Sequence, residues 1–85
     1  MAYEIIIKPS AEKAFGKLPN ALQVKILEAL EQLSVNPRPS GVKKLKSAFN
    51  IYRIRVGEYR VIYSINDTVL IVTVVKIAHR KNVYR

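Results

Sequence analysis

The 85 residues carry 15 Lys and Arg against 6 Asp and Glu, a formal charge of +9, yet 49 % of them are hydrophobic. That is too short for two domains and too apolar for a disordered basic tail, so one folded domain over residues 1–85 is expected. With no Cys, one His and six scattered carboxylates, the chain has no material for thiol chemistry, Cys-ligated zinc or iron–sulfur clusters and little for a protein-only metal cage, and no cofactor is expected.

Residues 3–8 are rich in β-branched side chains and run into Pro9, the pattern of a short first strand. Glu4 stands where a signal peptide would be basic, and the apolar run stops after three residues, so no leader is expected. Ser10 is placed to cap a helix in which Ala11, Ala14, Phe15 and Leu18 recur at helical spacing. Leu18-Pro19-Asn20 breaks that pattern. A second helix over about residues 21–33 sets Leu22, Ile26, Leu30 and Leu33 on one stripe, with Ala29 beside it, and the two prolines of Asn36-Pro37-Arg38-Pro39 end it.

A polar loop with Lys43-Lys44-Leu45-Lys46 follows, and then three strands over 51–56, 59–65 and 69–77. The longest apolar stretch, 69–75, is far below the about 20 residues that a membrane helix needs. The order β-α-α-β-β-β predicts an α+β domain, a helical hairpin packed on a mainly antiparallel four-stranded sheet. A soluble, cytoplasmic protein with no membrane partner is the expectation.

The charge is unevenly placed. Residues 1–37 hold four Lys against four Glu, whereas residues 38–85 hold eleven Lys and Arg against Glu58 and Asp67. That asymmetry favours a polyanionic partner. Gly57-Glu58 reads as a two-residue type II′ turn, which sets Val56 opposite Tyr59, Arg55 opposite Arg60, and Arg53 opposite Ile62. Tyr52, Ile54, Val56, Tyr59, Val61 and Tyr63 then share a face that can pack under the helices, and Arg53, Arg55 and Arg60 share the other. Directly opposed arginines cost about 0.2–1 kcal/mol against a neutral pair. An anion bound among them reverses that sign, and phosphate suits the guanidinium fork. The other reading is a solvated face on which the arginines splay apart. In the tail, Tyr84 either stacks on an unpaired base or folds back on the core.

Taken together, Tyr52-Arg53-Ile54-Arg55-Val56-Gly57-Glu58-Tyr59-Arg60-Val61-Ile62-Tyr63, the hydrophobic strand after it, and His79-Arg80-Lys81-Asn82-Val83-Tyr84 resemble the RelE/ParE superfamily of bacterial and archaeal toxins. The resemblance runs over nearly the whole chain, including the Leu18-Pro19 break and the Lys44-Leu45 loop. It implies the toxin of a type II toxin–antitoxin pair, with a RelB-like or other small acidic or amphipathic antitoxin as partner. For RelE-like members it implies metal-free cleavage of mRNA in the ribosomal A site, where the message's own 2′-hydroxyl attacks the adjacent phosphate. Arg53, Arg55, Arg60, Arg80 and Tyr84 fill the places of the RelE catalytic set. Arg60 would hold the scissile phosphate, Arg80 would neutralise the leaving 5′-oxygen, and Tyr84 would orient a base. RelE itself has lysines at the places of Arg53 and Arg55, and arginine almost never deprotonates. His79 is the alternative acid or base. Lys43, Lys44, Lys46, Lys81 and Arg85 are candidates for RNA phosphates. ParE-like members share the fold, poison DNA gyrase and lack the complete set. A gyrase inhibitor and a non-catalytic RNA- or ribosome-binding protein are the alternatives.

Overall fold

A computed structural model describes residues 2–45 and 50–82. In chain order the elements are β1 (Glu4–Ile7), α1 (Pro9–Gly16), α2 (Asn20–Val35), β2 (Lys43–Lys44), β3 (Ile51–Val56), β4 (Tyr59–Asn66) and β5 (Ile71–His79), followed by a 3₁₀ turn (Arg80–Asn82). The α+β class and the element order agree with the sequence. The sheet has five strands rather than four, in the order β1-β5-β4-β3-β2. The extra strand is Lys43–Lys44, where the sequence suggests a polar loop; two lysines pair with Arg53 and Tyr52 at the sheet's edge. Charged residues and short length are how edges resist further pairing, which is also why the segment does not read as a strand. β1 lies parallel to β5, with Glu4 against Ile71 and Ile7 against Val74, and all other pairings are antiparallel.

Pro9 starts α1 at a position where its missing N–H costs nothing. Lys8 is the N-cap and makes no side-chain cap bond, so Ser10 does not cap this helix. Ala11, Ala14, Phe15 and Leu18 join Leu22, Ile26, Ala29, Leu30 and Leu33 in one cluster with the inward residues of the sheet, among them Tyr52, Val56, Val61, Tyr63, Ile65, Val72, Val74 and Ile77. Among the described residues, no helix is long and apolar enough to cross a membrane.

The pairing of β4 with β5 slips by one residue between Ile62 and Tyr63: Ile62 faces Lys76 and Tyr63 faces Val74, so Val75 is the extra residue of a bulge. The slip inverts the phase of the strand's second half. Val72 and Val74 point into the core, and so does Ile77, whereas strict alternation would have sent Lys76 there.

At the far end of the sheet, Arg38 ties three segments together. Its Nη1 and Nη2 donate to Asp67 Oδ1 and Oδ2 at 3.2 and 2.9 Å, its Nε donates to the Tyr52 hydroxyl at 3.2 Å, and the Tyr3 hydroxyl donates to Asp67 Oδ1 at 2.7 Å. The hydrogen bonds from Arg38, and then from Tyr3, hold the Asp67 carboxyl below the usual carboxylate range. A lowered native pKa stabilises the fold above the unfolded-state value of about 3.9 and stops doing so as pH falls through the native value. Asp67→Asn is therefore expected to unfold at lower urea than the parent at pH 7, the gap closing as pH drops below about 4. A gap of constant size from pH 7 to pH 2 would contradict this account.

Candidate nucleic-acid interface

The β3–β4 turn sets the site. Gly57 has φ +60°, a left-handed conformation that glycine adopts without strain, and Val56 pairs with Tyr59 on either side of the turn. The pairings Arg55 with Arg60 and Arg53 with Ile62 follow, as the sequence register requires. Lys43 pairs with Arg53 across β2–β3. Gly41, Lys43, Arg53, Arg55 and Arg60 line a cleft of about 230 Å³ on the sheet face away from the helices. Four cations converge on this concave surface.

Arg55 and Arg80 share a carboxylate that sequence reasoning did not single out. Arg80 Nε lies 2.6 Å from Glu58 Oε2, the Arg80 backbone N–H donates to the Glu58 carbonyl at 2.8 Å, and Arg55 Nη2 lies 3.7 Å from Glu58 Oε1. Arg55 Nε also donates to the Gly57 carbonyl at 2.9 Å. Glu58 thereby fastens the 3₁₀ turn after β5 to the β3–β4 turn and brings Arg80 to the end of the arginine face. The signal was its place in the turn, two residues from Arg60 and three from Arg55.

His79 lies elsewhere. It pairs with Tyr59, whose ring it meets edge-on at 5.4 Å, and Tyr59 packs against the helix-covered core. Its Nδ1 accepts the Lys81 backbone N–H at 3.2 Å, which in a neutral ring leaves the proton on Nε2. The structure does not bring His79 onto the face of Arg53, Arg55 and Arg60. Lys44 likewise pairs with Tyr52 and has the phase of the helix-covered face, opposite to Lys43. Lys81 is exposed in the 3₁₀ turn. Lys46, Tyr84 and Arg85 lie outside the described residues. Lys76, absent from the sequence-based set, is turned onto the arginine face by the Val75 bulge. A lysine in the inward phase of an apolar strand was the signal for that bulge.

Residues 5–84 match the family described as the ParE toxin of the type II toxin-antitoxin system, parDE. The chain is 33 % identical over 69 residues to the toxin RelE3 of Methanocaldococcus jannaschii, covering 81 % of this chain and 76 % of that one. It is 28 % identical over 86 residues to the toxin RelG of Mycobacterium tuberculosis, covering 100 % and 99 %. Its fold is similar to the archaeal RelE–RelB complex from Pyrococcus horikoshii OT3, with a TM-score of 0.86 at 33 % identity over 96 % of this chain and 99 % of that one.

Proposed function

The chain belongs to the RelE/ParE superfamily of toxins from type II toxin–antitoxin systems, and from that membership and the arginine face we propose that it is a metal-independent endoribonuclease that cleaves mRNA on the ribosome. The observation that supports this reading is the convergence of Lys43, Arg53, Arg55 and Arg60 on one concave cleft, where guanidinium forks suit a phosphate. In the reaction the 2′-oxygen bonds to phosphorus as its proton departs. The bond from phosphorus to the 5′-oxygen breaks, and that oxygen takes up a proton. The products are a 2′,3′-cyclic phosphate and a 5′-hydroxyl. Negative charge builds on the phosphoryl oxygens in the transition state, where preorganised guanidinium groups stabilise it most.

Arg60 holds the scissile phosphate, Arg53 and Arg55 add to the charge stabilisation, and Arg80 neutralises the leaving oxygen. At neutral pH the arginines keep their protons. His79, which lies off the arginine face and has Nδ1 taken by the Lys81 amide, could exchange a proton only through Nε2. Tyr84 stacks on and orients a base.

A RelB-like antitoxin is the inferred partner, since the similar P. horikoshii toxin is found in a RelE–RelB complex. An acidic segment suits the cationic face. An amphipathic one suits α2, on which Val24, Leu27 and Val35 are exposed.

Mapping of mRNA 5′ ends after induction tests the activity. Cuts within codons of translated messages, bearing 5′-hydroxyls, are the expected result. The family description as a ParE toxin favours one second reading, a gyrase inhibitor. Inhibition of supercoiling by purified toxin with no RNA cut would select it.

The Glu58 bridge gives a further expectation. Glu58→Gln frees positive charge on Arg55 and Arg80 and should tighten binding of a short single-stranded RNA roughly two- to fivefold at low salt, the scale of an exposed ion pair. The gain should vanish near 1 M salt, where screening acts within about 3 Å. Fluorescence anisotropy reads both; equal affinity of variant and parent at low salt would count against competition between carboxylate and phosphate.

A further inference from the structure

We propose that Lys76 is a contact for the RNA backbone and grips the phosphate next to the one held by Arg60. The proposal rests on the endoribonuclease reading above and adds a residue to it. The Val75 bulge is the first ground: by shifting the β4–β5 register it places Lys76 opposite Ile62, on the face that carries the arginines. Lys43, Arg53, Ile62 and Lys76 then form one row across β2, β3, β4 and β5, and Arg55, Arg60 and Ala78 form the next.

Arg60 pairs with Ala78, two residues along β5 from Lys76, so Lys76 is its diagonal neighbour. Diagonal positions on paired strands lie about 7–8 Å apart. That separation suits two successive phosphates better than one. The chemistry of the side chain points the same way. A lysine presents a point charge on a flexible stem, which follows a phosphate without imposing bidentate geometry.

Its described neighbours on this face carry no carboxylate. The other outward positions around Lys76 on β4 and β5 are Arg60, Ile62, Ser64, Thr73 and Ala78, none of them acidic. Ile62 is only 8 % exposed although it points away from the helix-side core, and its register neighbours are Arg53 and Lys76. Long basic side chains commonly lay their stems over such a residue and keep their charge in water. Lys76 itself is partly exposed.

The test compares parent, Lys76→Ala, Lys76→Gln, Lys76→Arg and Arg60→Ala on two readouts. In cleavage on programmed ribosomes, Lys76→Ala and Lys76→Gln are expected to raise KM about tenfold with kcat within twofold of the parent, and Lys76→Arg to restore KM, as a phosphate grip should behave. In binding to a 20-nucleotide oligouridylate, the slope of log affinity against log salt should shrink by about 0.7, the share of one phosphate contact on a single strand. A parental KM and a parental slope in both neutral variants would overturn the proposal, whatever Arg60→Ala does. If the parent itself does not cut RNA, the endoribonuclease reading falls, and the salt slope still decides whether Lys76 meets a phosphate.

Discussion

Arg60→Ala is expected to lower kcat for mRNA cleavage by about 10²–10³-fold while leaving the protein folded, the scale seen when one preorganised donor to a developing oxyanion is removed. Arg60 sits across the ladder from Arg55 and on the wall of the cleft, so its removal takes away one of the cleft's four cations. Arg60 is only partly buried and lies outside the hydrophobic core, so the thermal midpoint is not expected to fall by more than a few degrees. Arg60→Lys should recover part of the activity only, because an ammonium carries the charge without the bidentate fork. The readout is single-turnover cleavage on programmed ribosomes beside a thermal melt. Parental cleavage by a folded Arg60→Ala protein would remove the arginine face from the mechanism.

Tyr63→Ala is expected to have the largest effect on stability. Tyr63 is fully buried, its ring stacks on Tyr52 with centroids 6.0 Å apart, and its hydroxyl donates to the Pro37 carbonyl at 2.7 Å. Truncating a buried aromatic costs about 3–5 kcal/mol, against a total of about 5–10 kcal/mol for a domain of this size. At about 4–8 °C per kcal/mol, the midpoint should drop by more than 10 °C or the protein should fail to fold. Tyr63→Phe separates packing from hydrogen bonding: it keeps the ring, leaves the Pro37 carbonyl unpaired and should cost about 1–3 kcal/mol. Burial pushes the Tyr63 hydroxyl up to about 12. A raised native pKa contributes stability below the unfolded value near 10, and that contribution is lost as pH climbs towards the native value. Urea titrations should therefore show less loss between pH 10 and 12 in Tyr63→Phe than in the parent.

Much of the site was legible because one turn carries it. Gly57 fixes the hairpin register, and the register alone puts Arg53, Arg55 and Arg60 on the face away from the helices. What the sequence hid was set by pairing between distant segments. Lys43–Lys44 becomes a strand only because β3 offers it a partner, and nothing in its own residues favours an extended ladder. The Val75 bulge is local in the chain but shows itself only against β4, and it decides the faces of Lys76, Ile77 and His79 together. Ser10 has a capping side chain, yet Pro9 ahead of it starts the helix first. The Glu58 bridge joins two arginines 25 residues apart in sequence, a meeting that the β5 pairing produces.

The parallel ladder between β1 and β5 has a consequence for the moment at which this protein becomes dangerous. Glu4 pairs with Ile71, so the first strand made waits for nearly the last before it gains its neighbour. At about 5–20 residues per second of synthesis, β1 and the helices spend several seconds without the strand that anchors them. Contacts this distant in sequence form slowly even after release. The folded toxin therefore forms only after β5 has been made, and the interval before the sheet closes is time in which a neutralising partner can reach the chain.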